Sequence, residues 1–227
     1  MNIDMSATTG VKESGKFLAP GIHKAKFNGL TLETMPSQKD NITYTVMRLN
    51  LDVDGYGEYV QNFFDPTVKN GQPDPDCNKR TQSQFGENPS KIEHFMIALR
   101  QIFDAVNPAI GEGIDNKTTK ITGDFSAIVK TAMKLTAPSI GTEVEIKLVP
   151  QSNGFASMPA FPAKINRVGA LGIATRIIGH NLVMSQSEQR KIDAANNARP
   201  TNMASNDVSL DGLSDALKLE DKDDLPF

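Results

Sequence analysis

The chain has 227 residues, of which 38% are hydrophobic and 22% are charged, and its formal net charge is −3. A chain of this size can bury one sizeable core, so we expect one main domain with extensions. The sequence has no run of about 18 apolar residues and begins without the layout of a secretory signal, which predicts a cytoplasmic protein with no membrane span. Its single cysteine, Cys77, excludes an internal disulfide and a zinc site with several thiolates. Because the three histidines are also scattered, we expect neither a metal nor a cofactor.

The N-terminal part of the sequence predicts a flexible arm followed by three strands. Residues 1–18 are polar and aperiodic, which predicts a flexible arm. Over 21–32 apolar and polar residues alternate, with a bulge expected at Gly29 and inward positions expected at Ile22, Ala25 or Phe27, Leu30 and Leu32. A second strand is predicted over 42–53, and it should turn at Asp54-Gly55 to pair with a third over 58–64.

A helical insertion is predicted next, over 89–135. Residues 65–88 contain three prolines and no periodicity, so we expect an exposed loop there. Ser90 and Glu93 fit a capping box at the start of an amphipathic helix, which Asn107-Pro108 should end. A second amphipathic helix is predicted over 124–135.

Strands return over 143–149 and 163–178, and a short polar helix is predicted over 185–198. Helices between the third and the later strands are the order expected of an elaborated OB barrel. The predicted fold is therefore mainly β with helical insertions. It consists of an OB-like domain over 19–180, a partly helical linker over 181–216 and a disordered acidic tail over 217–227.

Charge is distributed unevenly along the chain. Residues 1–192 contain 21 basic and 19 acidic side chains, whereas residues 193–227 contain 3 and 8. The mildly basic body is compatible with binding phosphates, although the net charge alone would argue against it. The acidic end closes with Leu225, Pro226 and Phe227. A pocket with an apolar floor and a basic rim could capture such a terminus, and Pro226 lowers the entropy lost on docking.

The final Asp-Asp-Leu-Pro-Phe resembles the acidic tip, ending in Pro-Phe, of bacterial single-stranded DNA-binding proteins. An OB body, a linker and an acidic tail ending in Phe are similar to the layout of phage replication proteins with the same role. The resemblance implies a tip that recruits a polymerase, helicase or primase and competes with DNA for the binding groove. Because Lys222 interrupts the acidic run, a phage protein in the host cytoplasm fits better than a housekeeping bacterial one. The implied tip residues are Glu220, Asp221, Asp223, Asp224, Leu225, Pro226 and Phe227.

Binding single-stranded DNA requires aromatic rings on which bases stack and cations along the backbone. Tyr44 and Arg48 share one strand face, as do Lys24 and Lys26, because side chains alternate along a strand. Each aromatic ring is equally compatible with a place in the core. The candidate DNA-binding residues are Lys24, Lys26, Tyr44, Arg48, Tyr56, Tyr59, Phe63, Lys79, Arg80, Phe155, Lys164, Arg167 and Arg176.

The function expected from the sequence is binding of single-stranded DNA without sequence preference, which protects it in replication or recombination. We expect no enzymatic activity, because residues 111–118 lack the second glycine of a phosphate loop and no catalytic motif stands out. The alternatives are a phage annealing protein, an adaptor that binds no DNA and, last, a nuclease. The sequence leaves open whether the chain forms a homo-oligomer.

Overall fold

The computed structural model describes residues 18–37, 42–83, 86–150, 156–159, 164–169 and 186–197. Within these residues the chain alternates between a large sheet, two small hairpins and several helices. The strands are β1 (Gly21–Pro36), β2 (Thr43–Val53), β3 (Gly57–Phe64), β4 (Val68–Lys69), β5 (Gln72–Pro73), β6 (Thr81–Ser83), β7 (Gly86–Asn88), β8 (Glu143–Pro150), β9 (Ala156–Ser157) and β10 (Ile165–Arg167). The helices are α1 (Lys91–Val106), α2 (Pro108–Asp115), α3 (Phe125–Thr136) and α4 (Gln186–Asn197).

The long strand β1 organises the sheet, because it pairs with β8 along its first half and with β2 from Ala25 onward. The predicted bulge is confirmed: the register shifts between Phe27 and Gly29, and Gly29 has a φ of 110°. Before the bulge Ala25 and Phe27 are buried, and after it the buried position is Leu30. The extra residue therefore changes which positions face the core.

One predicted core position was wrong, because the bulge shifts the alternation of side chains along β1. Ile22 was expected to point inward, but it is 42% exposed and lies opposite Lys147 of β8. It precedes the bulge and has the parity of Lys24, so it lies on the outer face. Ala25 and Phe27 were predicted as alternative inward positions, and both are buried.

The main sheet is antiparallel throughout and has the order β10-β8-β1-β2-β3, with β9 added to β8. It curls into a half-barrel. Its inner face packs against α1 and α3 in one hydrophobic core that includes Phe27, Leu49, Phe103 and Val129. In the described part of the chain β10 and β3 do not pair with each other, so the two ends of this sheet stay separate.

Residues 65–88 are more ordered than the sequence predicted. Two small hairpins form there, β4 with β5 and β6 with β7. Asn70 and Gly71 supply the left-handed backbone of the first turn, with φ values of 52° and 75°. Most of the described residues here are exposed, as predicted, but the two hairpins were missed because strands this short show no periodicity.

The helix starts follow the predicted chemistry. The Ser90 hydroxyl accepts a bond from the Glu93 backbone N–H at 3.3 Å, and the Glu93 carboxylate accepts one from the Ser90 N–H at 2.8 Å, which confirms the capping box. Asn107 ends α1 as predicted, but it also caps a helix that was not predicted, α2. Asp124 caps α3 through the Ala127 N–H at 2.8 Å.

One ion-pair network fastens α2 to α1. Arg100 donates from Nε to Asp104 at 2.9 Å and from both Nη atoms to Asp115 at 2.9 and 3.0 Å. These three side chains are mostly buried, at 14% to 22% exposure. Their charges are therefore stabilised mainly by one another.

The predicted polar helix over 185–198 is confirmed as α4, which lies against β8 and buries Ile192. At least this part of the predicted linker packs on the folded body. Residues 1–17 of the N-terminal arm predicted over 1–18, and residues 198–227, which include the acidic tail, lie outside the described residues.

Replacing Gly111 with alanine tests the network between α1 and α2. A Cβ at Gly111 would come 2.1 Å from Asp104 Oδ1 and 2.7 Å from Arg100 Nη2. Alanine normally stabilises a helix over glycine by about 1 kcal/mol. Here we expect a destabilisation instead, because the added methyl group would displace the Asp104 and Arg100 side chains from their ion pair. The free energy of unfolding, measured by urea denaturation, should fall by about 2 kcal/mol.

The control for this prediction is the same substitution made in an Asp104→Ala background. Without the Asp104 carboxylate the shortest clash disappears, so Gly111→Ala should cost less there. An equal loss in both backgrounds would contradict the proposed cause.

Candidate nucleic-acid interface

The sheet divides the candidate residues between its two faces. Paired residues of antiparallel strands share a face, and the inner face is marked by the buried Leu49 and Leu51 of β2. Tyr59 pairs with Leu51 and therefore lies inside. The outer face contains four candidates, which are Lys24, Lys26, Tyr44 and Arg48.

The lysines of the outer face lie beside acidic residues. Lys24 is opposite Glu145, and Lys26 lies between Asp52 on one neighbouring strand and Glu143 on the other. Opposite charges at paired positions stabilise a sheet. The predicted shared face for the two lysines is confirmed, but this corner of the sheet is close to electrically balanced.

Arg48 lies near the middle of the outer face. Its Nη1 donates to Glu33 at 2.5 Å, so part of its charge is already paired. Its Nε and the Oδ1 of Asn62, the residue opposite it on β3, are buried without a hydrogen-bond partner in the described structure. Neither atom is exposed, so these two polar groups are not accessible to a ligand on the surface of this face.

An aromatic pair ends the outer face. Tyr44 of β2 and Phe64 of β3 contact edge to face, with ring centroids 5.9 Å apart and an interplanar angle of 90°. Phe64 is 53% exposed, which is unusual for so large an apolar side chain. Exposed rings at a strand end can stack on bases.

The sequence prediction chose Phe63 as the DNA contact, whereas the structure exposes its neighbour. Phe63 pairs with Met47 on the inner face and packs against the core. Phe64 pairs with Val46 and so shares the parity of Tyr44. The alternation of β2, together with a three-residue turn after Val53, would have identified Phe64.

Lys164 lies behind the sheet and not on its outer face. Its ammonium is 5.8 Å from the centre of the Phe63 ring and donates to the Pro159 carbonyl, while its backbone N–H donates to Gln101 at 3.1 Å. Burial lowers the pKa of Lys164 to about 8. On the same side, burial raises the pKa of Tyr59 to about 12. Both candidates are half-buried on the inner side of the sheet.

The two small hairpins and the start of α1 enclose a cleft of about 570 Å³, which we call the lysine cleft. Three lysines reach it from separate segments, and two of them, Lys69 and Lys91, were not among the sequence candidates. No sequence signal marks them, because only the folded hairpins bring them together. The residues lining the cleft are Lys69, Asp74, Asp76, Lys79, Thr81, Pro89, Lys91 and His94.

The two side chains of the predicted basic pair, Lys79 and Arg80, have different surroundings in the structure. Lys79 lines the cleft, whereas Arg80 donates to Glu93 through Nε at 2.9 and 3.0 Å and to Glu87 through Nη1 at 3.0 Å. Hydrogen bonding by Arg80 lowers the pKa of Glu93 to about 2, and the carboxylates raise the pKa of Arg80. Arg80 thus holds the β6–β7 hairpin to α1.

Two further candidates lie away from this region. Tyr56 lies in the turn between β2 and β3, at the far end of the hairpin from Tyr44, and Arg167 is exposed at the end of β10. Phe155, Arg176 and the tail residues over 220–227 lie outside the described residues.

Comparisons with protein-family models, with curated proteins and with solved structures find no match for this chain. No helix among the described residues is long and apolar enough to cross a membrane. Over the same residues no three His, Cys, Asp or Glu side chains lie close enough together to hold a metal ion.

The burial of Lys164 has a measurable consequence for stability. Because its pKa is lower when folded (about 8) than its ordinary value of 10.5, the unfolded chain binds the proton more tightly. The loss of stability caused by burying the charged ammonium is complete below about pH 8 and disappears as the pH rises to about 10.5. Lys164→Met should therefore raise the free energy of unfolding by about 1 to 2 kcal/mol at pH 7, and less at pH 10.

The measurement is urea denaturation of both proteins at the two pH values, with an NMR titration of the lysine side chains. The wild-type spectrum should contain one lysine titrating near pH 8, and Lys164→Met should remove it. An equal gain in stability at both pH values would contradict the assignment.

Proposed function

We propose that this protein binds single-stranded DNA, with little sequence preference, across the outer face of β2 and β3. The observation that carries the proposal is the aromatic pair at the end of that face, in which half-buried Tyr44 contacts the exposed ring of Phe64. Every base has a π-face, so stacking on such rings tolerates any sequence. Arg48 and Asn62 lie on the same face of the sheet as the rings, and the Arg48 guanidinium is paired with Glu33.

The proposed fold is an elaborated OB barrel. Its support is the bent first strand shared between β2 and β8, and the helices inserted between the third long strand and β8. OB folds bind oligonucleotides on the face of their second and third strands. Those strands correspond here to β2 and β3, which carry the aromatic pair.

The proposed tip at 220–227 recruits a polymerase, helicase or primase. The support is the sequence alone: four carboxylates before Leu-Pro-Phe, which resembles the tips of bacterial single-stranded DNA-binding proteins. Acidic residues attract a basic pocket from a distance, and the Phe227 ring then docks in it. The body and the tip thus have separate roles: the body binds DNA and the tip recruits a replication protein.

The DNA proposal predicts that oligo(dT) binds more tightly than duplex of the same length, at both 50 and 200 mM salt, measured by fluorescence anisotropy. Phe64→Ala or Tyr44→Ala should weaken oligo(dT) binding about tenfold, because each stacked base contributes about 1 to 3 kcal/mol. Tyr56→Ala is the matched control, since it removes an exposed ring at the far end of the hairpin. Duplex bound as tightly as oligo(dT) would overturn the proposal.

The recruitment proposal predicts that deleting Leu225–Phe227 abolishes binding to the host replication protein while oligo(dT) affinity stays the same or increases. Purified polymerase, helicase and primase would each be tested by surface plasmon resonance against the full chain and the deletion. Charge is unchanged by this deletion apart from the position of the terminal carboxylate, so a loss would be due to the apolar residues. If oligo(dT) binding fell sharply, the tail would have a different role.

A further inference from the structure

The lysine cleft lies next to the aromatic pair but is not used by the proposed stacking. We propose that it holds the phosphodiester backbone of the same bound strand, with Lys69 and Lys79 as its two phosphate contacts. This inference rests on the proposed function and extends it. It assigns to the β4–β7 insertion the electrostatic part of DNA binding.

The charges inside the cleft leave two lysines for a ligand. Asp74 is buried and accepts bonds from Lys91 Nζ at 2.5 Å and from the Asp76 N–H at 3.0 Å. Its pKa is lowered, chiefly by the bond from Lys91, so Asp74 is ionised and offsets the charge of Lys91. In the described part of the chain, Lys69 and Lys79 form no ion pair within 4 Å, and they exceed the exposed Asp76 by one charge.

His94 does not add to this charge at neutral pH. Its pKa is lowered, first by burial and then by the nearby ammonium of Lys164. The positive charge of the cleft therefore comes from ammonium groups, which are compact and strongly hydrated and suit phosphate oxygens. The cleft opens at the first turn of α1, where the helix dipole also favours an anion.

The position of the cleft matches a strand that stacks on the aromatic pair. Lys69 follows Phe64 by five residues, and the turn of its hairpin packs on Ile42, two residues before Tyr44. A Cβ at Gly71 would lie 2.9 Å from Ile42 Cγ2, so this contact is close. The Asp74 N–H also donates to the Thr67 carbonyl at 2.7 Å, which closes the hairpin base.

Among the described residues no Phe or Tyr ring lines the cleft, which separates its role from that of the outer face. Bases would stack on Tyr44 and Phe64, while the backbone of an adjoining nucleotide would pass between Lys69 and Lys79. Such contacts release counterions, so they should dominate the salt dependence of binding and contribute little base preference.

The test is the dependence of oligo(dT) affinity on salt concentration, measured by fluorescence anisotropy between 50 and 300 mM NaCl. Each phosphate contact on single strands contributes about 0.7 to the slope of log affinity against log salt. Lys69→Gln/Lys79→Gln should therefore flatten the slope by about 1.4. Both lysines are exposed, and Lys91 with Asp74 is left intact, so thermal unfolding should be unchanged.

The matched control is Lys130→Gln/Lys134→Gln on α3, which changes the net charge equally and lies outside the cleft. Its slope should equal that of the wild type. If the wild type and Lys69→Gln/Lys79→Gln gave the same slope of log affinity against log salt, the cleft assignment alone would be overturned. Failure of the wild type to prefer oligo(dT) over duplex would overturn the proposed function, and the cleft assignment with it.

Discussion

The architecture depends on the bulge at Phe27 and Gly29. A regular strand of this length would direct Ala25 and Leu30 to opposite faces, because side chains alternate. The extra residue shifts the phase, so both halves of β1 bury apolar side chains on the same side. It also bends the strand, which lets its first half pair with β8 while its second half continues along β2. The curled sheet around α1 and α3 follows from this.

The same curvature determines what the outer face can offer. The odd-numbered residues of β2 and β3 lie on the inner face, which leaves Tyr44, Arg48, Asn62 and Phe64 on the other face together with the buried Val46. Cross-strand pairing then consumes much of the charge: Lys26 lies between two carboxylates, and Arg48 is bonded to Glu33. Aromatic and uncharged polar groups therefore characterise this face more than cations do. A DNA-binding role would need cations from outside the outer face. The lysine cleft, whose first hairpin follows Phe64 in the chain, could supply them.

Much of the fold could be predicted from the sequence, because its signals are local. The β2–β3 hairpin follows from alternation and the Asp54-Gly55 turn, and α1 follows from the bonds between Ser90 and Glu93, three residues apart. The failures were also local in origin. Two-residue strands such as β4 give no period, and the Pro108 that ends one helix also fits the first turn of the next.

The sequence by itself determined the order of the three long N-terminal strands, of α1, α3 and β8, the shared face of Tyr44 and Arg48, and the acidic motif at 220–227. Only the tertiary structure decided which side chains are available. Lys79 and Arg80 are neighbours, yet Arg80 is bonded to Glu87 and Glu93 while Lys79 lines the cleft with Lys69. The physical reason is that backbone conformation responds to residues a few positions away. The partners of a charged or aromatic side chain instead come from distant segments, whose positions exist only in the folded chain.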